Sequence, residues 1–295
     1  MGQSRLAKRK MGVALKPLEK KKTKYRLRKI FFAGVIVLFL LITGFYFLSP
    51  KEWDGVSKFS VAKQNGDGSV DVDIFDPINS TFTIIKLPAD TQVQASNRLG
   101  TWRLGSISRL GEYKKIEKDF LKDTLIKSFG FPIDKQTDST ESNFYFVDRI
   151  RLILFKLQVG EGGRSTVDLT KTNLLEKGRL ADGSSGYVIS DAIPTDIKSY
   201  FVGDNKNTLN VNIKNEIAGK ASAYMVSKVL DALGLNVVSI QDADEDNSLD
   251  CVVNGLARDV VIKVSRIFGC DSKFVAASNN FDLEISIGKI FRDRF

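Results

Sequence analysis

A charge-free apolar segment, Ile30–Leu48, most constrains what this chain can fold into. Nineteen residues in a helix span about 28 Å, close to the roughly 30 Å hydrocarbon core of a bilayer. A helix buried in a globular core is the alternative, but such helices are rarely apolar on every face over this length. Tyr46 stands where an interfacial aromatic residue belongs, and Trp53 is expected at the same boundary. The segment therefore predicts a transmembrane helix over residues 30–48.

The residues that precede this segment are strongly basic. Residues 1–29 contain 12 Lys or Arg and a single acid, Glu19, so this tail has a charge of +11. The whole chain has a charge of +9, so residues 30–295 together have a charge of −2. Positive flanks stay on the cytoplasmic side of a membrane, so the tail is predicted to be cytoplasmic and the chain after about residue 50 extracytoplasmic. The tail lacks a helix-turn-helix pattern and interleaved aromatic residues, so membrane lipid is the expected partner and nucleic acid is not.

A cleaved signal peptide is the alternative to an uncleaved anchor. Signal peptides have a short basic region and a small-x-small cleavage site after the apolar core. Here the basic region is 29 residues long, and Phe47 stands where the site requires a small residue. The sequence therefore favours a single-pass signal anchor in the cell membrane.

Residues 56–207 are predicted to form an α/β middle domain. Alternating apolar residues predict a strand at Val70–Phe75, which the turn residues 65–68 connect to residues 58–63 as a hairpin. Thr81–Leu87 is a second predicted strand. Apolar stripes at helical spacing predict one helix over Gly111–Phe129 and another over Val147–Leu157.

Residues 208–295 are predicted to form a second α/β domain. The patterns predict strands near residues 209–213, 237–240, 251–253, 274–277 and 283–287, and helices over 218–233 and 256–268. This order, β-α-β-β-α-β plus one strand, is typical of a split βαβ sandwich. The expected fold class is therefore α/β (α+β).

Three stretches of this second domain carry a resemblance to a known family. They are LNVNIKNEIAGKA (209–221), the Leu-Gly-Leu-Asn-Val step (233–237) and LEISIGKIF (283–291). They resemble the C-terminal domain of the LytR/CpsA/Psr cell-envelope family, in which a strand ends near an Asn and a final strand ends in Gly-Lys. The resemblance covers about 85 residues and implies work at the cell envelope.

The middle domain resembles a degenerate form of the same family's catalytic domain. That domain has a strand leading into Pro-Arg-Asp-Thr, and this chain has IIKLPADTQV (84–93), with Ala89 at the position of the arginine. The stretch FGFPID (129–134) is also similar to the family. Its enzymes transfer polymers from polyprenyl-phosphate carriers to the cell wall, and arginine binds phosphate in a way that alanine cannot.

The resemblance implies a non-catalytic envelope protein that binds wall polymer or another envelope component. Two alternatives stay open. One is an active phosphotransferase that attaches polyprenyl-linked polymers with other basic residues. The other is a transcription regulator acting through the basic tail, against which the exported topology argues.

A candidate groove for an anionic ligand follows the Pro-Ala-Asp-Thr motif. Arg98 and Arg103 flank Trp102, and Lys86 and Asp90 lie just before them in sequence. Convergent basic side chains beside an aromatic ring are typical of such a groove. The alternative is a solvated loop with a packed tryptophan. No catalytic residue is assigned.

The sequence predicts no metal site and no cofactor. It contains no histidine, which excludes Ser-His-Asp and Cys-His catalysis and most zinc sites. The acids at 242, 244, 246 and 250 are spaced like a calcium loop, but Asn247 and Val253 replace the required Gly and Glu, so a solvated loop is favoured. The glycines at 160, 162 and 163 lack the Gly-Lys-Ser/Thr ending of a phosphate loop, so a plain loop is favoured.

Cys251 and Cys270 are the two cysteines of the chain. A strand that runs out and a helix that runs back would return Cys270 to the end of the domain that holds Cys251. The compartment outside a membrane permits oxidation, so the pair is a candidate disulfide. Two separately buried thiols are the alternative.

Overall fold

The protein is described from a computed structural model that covers residues 29–37, 44, 52–116, 118–137, 144–190, 193–203, 209–216, 220–242, 248–277 and 281–295. The chain forms two compact units, residues 1–50 and residues 51–295.

In the first unit, residues 29–37 are helical (α1), as is residue 44. Most of the predicted transmembrane segment and of the basic tail lies outside the described residues. Among the helices that the structure does describe, none combines the length and the apolarity needed to cross a bilayer. The anchor and its orientation remain predictions.

The first sheet of the second unit has five strands in the order β6-β1-β2-β3-β7. The strands β1 to β3 are antiparallel neighbours, whereas β6 runs parallel to β1 and β7 runs parallel to β3. Their bounds are Phe59–Gln64 (β1), Val70–Asp76 (β2), Thr81–Leu87 (β3), Lys135–Thr137 (β6) and Arg164–Asp168 (β7). The predicted hairpin and the two predicted strands are confirmed.

Four helices accompany this sheet: Ile107–Lys114 (α2), Phe120–Phe129 (α3), Phe146–Gln158 (α4) and Thr195–Phe201 (α5). The prediction of one helix over Gly111–Phe129 is wrong, because Lys115 and Asp119 both adopt left-handed backbone conformations and separate α2 from α3. The two helices pack closely, since a Cβ added at Gly111 would lie 2.9 Å from the Phe120 ring.

Two short hairpins complete this part of the chain. Gln92–Gln94 (β4) pairs with Thr101–Arg103 (β5), and Leu175–Arg179 (β8) pairs with Ser185–Ile189 (β9). An isolated parallel bridge between Thr91 and Tyr187 joins one hairpin to the other. The segment after Pro88, for which a solvated loop was the alternative to a groove, therefore contains a short hairpin.

The second sheet has the order β11-β10-β14-β12-β13. Its strands are Asn210–Asn215 (β10), Asn236–Asp242 (β11), Cys251–Gly255 (β12), Asp271–Lys273 (β13) and Leu283–Ile287 (β14), and its helices are Ala221–Ala232 (α6), Arg258–Phe268 (α7) and Lys289–Arg294 (α8). The α/β character and the strand-helix order agree with the prediction, although β13 lies just before the predicted 274–277.

The split βαβ arrangement is not what forms. Both crossovers, β10-α6-β11 and β12-α7-β13, return to the adjacent position, and β14 lies between the two βαβ motifs. Burial explains the order. The residues of β14 are buried on both faces, which suits a central strand, whereas β11 and β13 are mostly exposed and lie at the edges.

One set of buried apolar side chains runs through both sheets. The predicted boundary between residues 207 and 208 lies within 204–208, outside the described residues. A smaller aromatic cluster lies beneath α4 and includes Trp53, Phe59, Phe75 and Phe155. Trp53 is 1% exposed, so the expectation that it lies at a membrane boundary is wrong: its ring is enclosed by this cluster.

Candidate functional site

The structure does not gather the four predicted groove residues in one place. Lys86 is exposed on β3, in register with Asp71 and Asp168 of the neighbouring strands. Arg98, in the β4–β5 turn, forms an ion pair with Asp293. Neither Lys86 nor Arg98 lines the cleft described next.

A cleft of about 470 Å³ lies between the β4–β5 hairpin and the turn of the β8–β9 hairpin. The backbone oxygen of Asp90 accepts a hydrogen bond from the Tyr187 N–H at 3.1 Å, and Gln92 Oε1 accepts one from the Ala181 N–H at 2.7 Å. These bonds hold the hairpins together. The cleft is lined by Gln92, Thr101, Trp102, Arg103, Ser106, Leu180, Ala181 and Asp182.

Trp102 supplies the aromatic surface of this cleft. Its indole N–H donates to the Leu99 carbonyl at 2.8 Å, which fixes the ring, and the residue is still 42% exposed. A buried tryptophan would contribute its large apolar surface to the core, where burial of that surface stabilises the fold. An exposed ring whose polar atom is already bonded is instead available to pack against a ligand.

Arg103 is held by the opposite hairpin. Its Nε donates to Asp182 Oδ2 at 2.9 Å, Nη2 lies 2.8 Å from the same oxygen, and Nη2 also donates to Ser184 Oγ. Hydrogen bonds from the Ser184 side chain and backbone, with the Arg103 guanidinium nearby, hold the pKa of Asp182 at about 2. The carboxylate is therefore ionised at neutral pH and balances the charge of Arg103.

This arrangement combines an aromatic plate with several hydrogen-bonding groups and little net charge. The CH faces of sugar and polyol units pack against aromatic rings, and their hydroxyl groups bond to amides, hydroxyls and ion-paired carboxylates. Arginine binds phosphate through its forked N–H groups, and those of Arg103 already bind Asp182. The cleft therefore suits neutral hydroxylated ligands better than a pyrophosphate.

Ala89, in the Pro-Ala-Asp-Thr stretch, is not among the residues that line this cleft. Its methyl group lies 3.0 Å from where a Cβ at Gly105 would stand, and 3.4 Å from one at Gly68. Gly105 N donates to the Ala89 carbonyl at 2.9 Å. A second, polar cavity of about 500 Å³ borders both glycines and includes Arg109 and Glu112 among its lining residues.

Sequence reasoning found Trp102 and Arg103 but missed Asp182, Ser184 and Gln92. The residues Asp182-Gly183-Ser184 are typical of a turn, so the turn itself is predictable from the sequence. Its contact with Arg103 is not, because Asp182 lies 79 positions further along the chain and no local sequence pattern indicates that the two hairpins meet.

The glycine-rich stretch at 160–163 and the acidic stretch at 242–250 each contain residues with a structural role. A Cβ at Gly163 would lie 2.6 Å from the Ser80 backbone oxygen, so this glycine permits close packing. Asp242 accepts a hydrogen bond from Asn215 Nδ2 at 2.7 Å, and Asp250 pairs with Arg294. Asp244 and Asp246 lie outside the described residues. Within the described ranges, no three acidic or sulfur ligands are grouped as a metal would require.

The cleft depends on the close docking of the two hairpins at Gly186. A Cβ there would lie 2.4 Å from the Asp90 backbone oxygen and 2.6 Å from Leu180 Cδ1. We expect Gly186→Ala to lower the free energy of unfolding by about 2 kcal/mol, because the backbone must move to admit the methyl group. Urea unfolding of the full chain in a non-ionic detergent measures this. Gly160→Ala is the control, since no atom lies within 4 Å of its Cβ position; equal losses in both variants would contradict the expectation.

No protein-family model matches the chain, and no curated protein matches it. Among solved structures, the crystal structure of TagT from B. subtilis, a protein of the LytR/CpsA/Psr family, is similar over 48% of this chain and 89% of that chain, with 11% sequence identity and a TM-score of 0.34.

Proposed function

We propose that this chain is a membrane-anchored, extracytoplasmic protein that binds the sugar or polyol units of a cell-wall polymer and does not transfer them. The observation that carries the proposal is the fixed, half-exposed Trp102 ring in a cleft with the charge-balanced Arg103–Asp182 pair. The sequence resemblance to a cell-envelope family supports the choice of a wall polymer as the ligand.

The cellular location rests on the sequence and on the cysteines. The +11 tail followed by the apolar segment 30–48 supports an anchor with residues 51–295 outside the membrane. A disulfide joins Cys251 to Cys270, and such bonds persist in oxidising compartments. Both features favour the extracytoplasmic side.

Two features favour binding over transfer. Transfer from a polyprenyl-phosphate carrier needs cations that neutralise the developing phosphate charge. Ala89 provides none at the family's motif, and Arg103 is already paired with Asp182. We therefore expect the full chain to show no turnover with a pyrophosphate-linked lipid; turnover that is lost in Arg103→Ala would overturn the non-catalytic assignment.

The binding proposal is tested by pull-down on isolated cell wall. The full chain in non-ionic detergent should bind the wall, and Trp102→Ala should weaken this binding by about 5- to 150-fold, because stacking on an aromatic ring contributes on the order of 1–3 kcal/mol by analogy with stacked bases. Tyr113→Ala is a matched control, since Tyr113 is an exposed aromatic residue (80%) outside the cleft.

The outcomes separate clearly. Binding that weakens in Trp102→Ala and not in Tyr113→Ala supports the cleft as the binding site. Equal binding by the wild type and by Trp102→Ala would mean that the cleft is not the site, and no binding by the wild type would overturn the proposed function itself.

A further inference from the structure

The helix α4 exposes an apolar stripe that no other described element covers. Its side chains recur at helical spacing and form a band roughly 100° wide along the helix. The stripe consists of Phe146, Ile150, Ile153, Leu154 and Leu157, all exposed. A helix at the surface of a soluble domain normally turns such a stripe toward the core.

The core-facing side of α4 is already occupied. Val147 and Leu152 are buried, and Leu152 belongs to the aromatic cluster that encloses Trp53. The helix is therefore apolar on two sides, one packed on the protein and one exposed. The exposed stripe is not needed to hold α4 in place.

The same helix holds the residues that follow the predicted membrane anchor. The Glu52 N–H donates to Asp148 Oδ2 at 2.8 Å, and Arg151 Nη1 donates to the Trp53 carbonyl at 2.7 Å. Leu48 is the last residue of the apolar segment, so Glu52 follows it after three residues, or four Cα–Cα steps. Four fully extended steps reach at most about 14 Å.

We infer that the exposed stripe of α4 lies in the interface of the membrane that anchors the chain. This inference rests on the anchoring that is part of the proposed function. If residues 30–48 cross a bilayer, the end of that membrane segment must lie within about 14 Å of Glu52, which is bonded to α4. An apolar helix face beside a bilayer is buried most readily by entering the boundary between headgroups and acyl chains.

One charge of α4 fits an anionic lipid surface. Arg151 is paired with the buried Asp148 and Lys156 is paired with Asp73, whereas Arg149, next to the stripe, has no ion pair among the described residues. Basic residues beside an apolar stripe are typical of helices that lie on anionic bilayers. Nothing comparable favours a second copy of the chain as the occupant.

The inference is tested by photocrosslinking in the full chain, reconstituted into nanodiscs of phosphatidylglycerol and phosphatidylcholine. Benzoylphenylalanine is placed at Ile153 and, as the control, at Ile240, an isoleucine of similar exposure (51% and 44%) on the edge strand β11. After irradiation, mass spectrometry of the labelled peptides should find at least tenfold more lipid adduct at position 153.

Flotation of the same full chain with liposomes at alkaline pH tests the anchor separately. If the chain floats but position 153 gives no more lipid adduct than position 240, the inference about α4 fails and anchoring stands. Crosslinks between two copies through position 153 would also overturn it, in favour of a dimer. If the chain does not float, both the anchoring and the inference fail.

Discussion

Asp134→Asn should lower the free energy of unfolding by about 3–5 kcal/mol, because it breaks a buried ion cluster. The Asp134 carboxylate is fully buried, accepts a hydrogen bond from the Ser60 N–H at 2.8 Å and forms an ion pair with Lys263. Its other oxygen lies 3.5 Å from Arg266 Nη1. Asparagine keeps the shape but removes the carboxylate charge with which Lys263 and Arg266 pair. The midpoint of urea unfolding, measured on the full chain in a non-ionic detergent, gives the loss.

The control is the same change at a surface pair. Asp231 pairs with Lys198, and its side chain is 59% exposed. We expect Asp231→Asn to cost less than about 1 kcal/mol, since exposed ion pairs contribute little. Adding Lys263→Met to Asp134→Asn should recover part of the loss, because burial alone already lowers the pKa of Lys263 and the methionine removes an unpaired buried cation. Similar small losses at both aspartates would contradict the expectation.

The cluster explains how the C-terminal sheet is fixed to the first one. Ser60 belongs to β1 and Asp134 directly precedes β6, whereas Lys263 and Arg266 belong to α7. Lys263 Nζ also donates to the Lys58 carbonyl at 2.8 Å. The second sheet is thus bonded through α7 to β1 and to Lys58, which directly precedes it. These bonds fix the C-terminal region to the part of the chain that follows the predicted anchor in sequence.

The sequence is sufficient to predict an element where the residues that determine it are neighbours in the chain. Alternation at Val70–Phe75 with turn residues at 65–68 predicts a hairpin, and Thr81–Leu87 ends at Pro88; the hairpin and the second strand form as predicted. In both cases the deciding contacts lie between neighbours in sequence, and the period of two already identifies the buried face.

The sequence was insufficient where geometry depends on distant or atypical residues. The break between α2 and α3 uses Lys115 and Asp119 in left-handed conformations, and neither is the glycine that usually marks such a position. The central place of β14 follows from its burial on both faces, which chain order does not encode. Trp53 was expected in a membrane boundary because of its position after the apolar segment, but Phe59, Phe75 and Phe155 surround it.

The candidate site also has features that the sequence predicts and features that it does not. An aromatic residue flanked by two arginines was visible in the sequence, and Trp102 and Arg103 do line a cleft. The charge of that cleft was not visible, because Asp182 neutralises Arg103 from another hairpin. This one contact changes the expected ligand from an anion to a neutral hydroxylated unit.

Removal of the disulfide should also lower the free energy of unfolding by about 3 kcal/mol, the value for closing a loop of about 20 residues in the unfolded chain. The parallel register of β12 and β13 pairs Val252 with Asp271, which places the preceding residues, Cys251 and Cys270, side by side with their Cα atoms 4.9 Å apart. Their proximity is therefore set by the sheet and does not depend on the bond.

The test compares urea unfolding of the full chain with and without reductant. Reductant should shift the midpoint of the wild type to the value of the Cys251→Ala/Cys270→Ala double variant, and should leave that variant unchanged. The double variant should still fold, because the β12–β13 pairing and the packing of α7 on the sheet do not require the sulfur atoms. Intact-mass analysis after alkylation under denaturing conditions should find no reactive thiol in the non-reduced, freshly exported protein. Two alkylated cysteines there, or a wild type that is insensitive to reductant, would mean that the sheet brings the thiols together without oxidation, and the argument from the cysteines for an extracytoplasmic location would be lost.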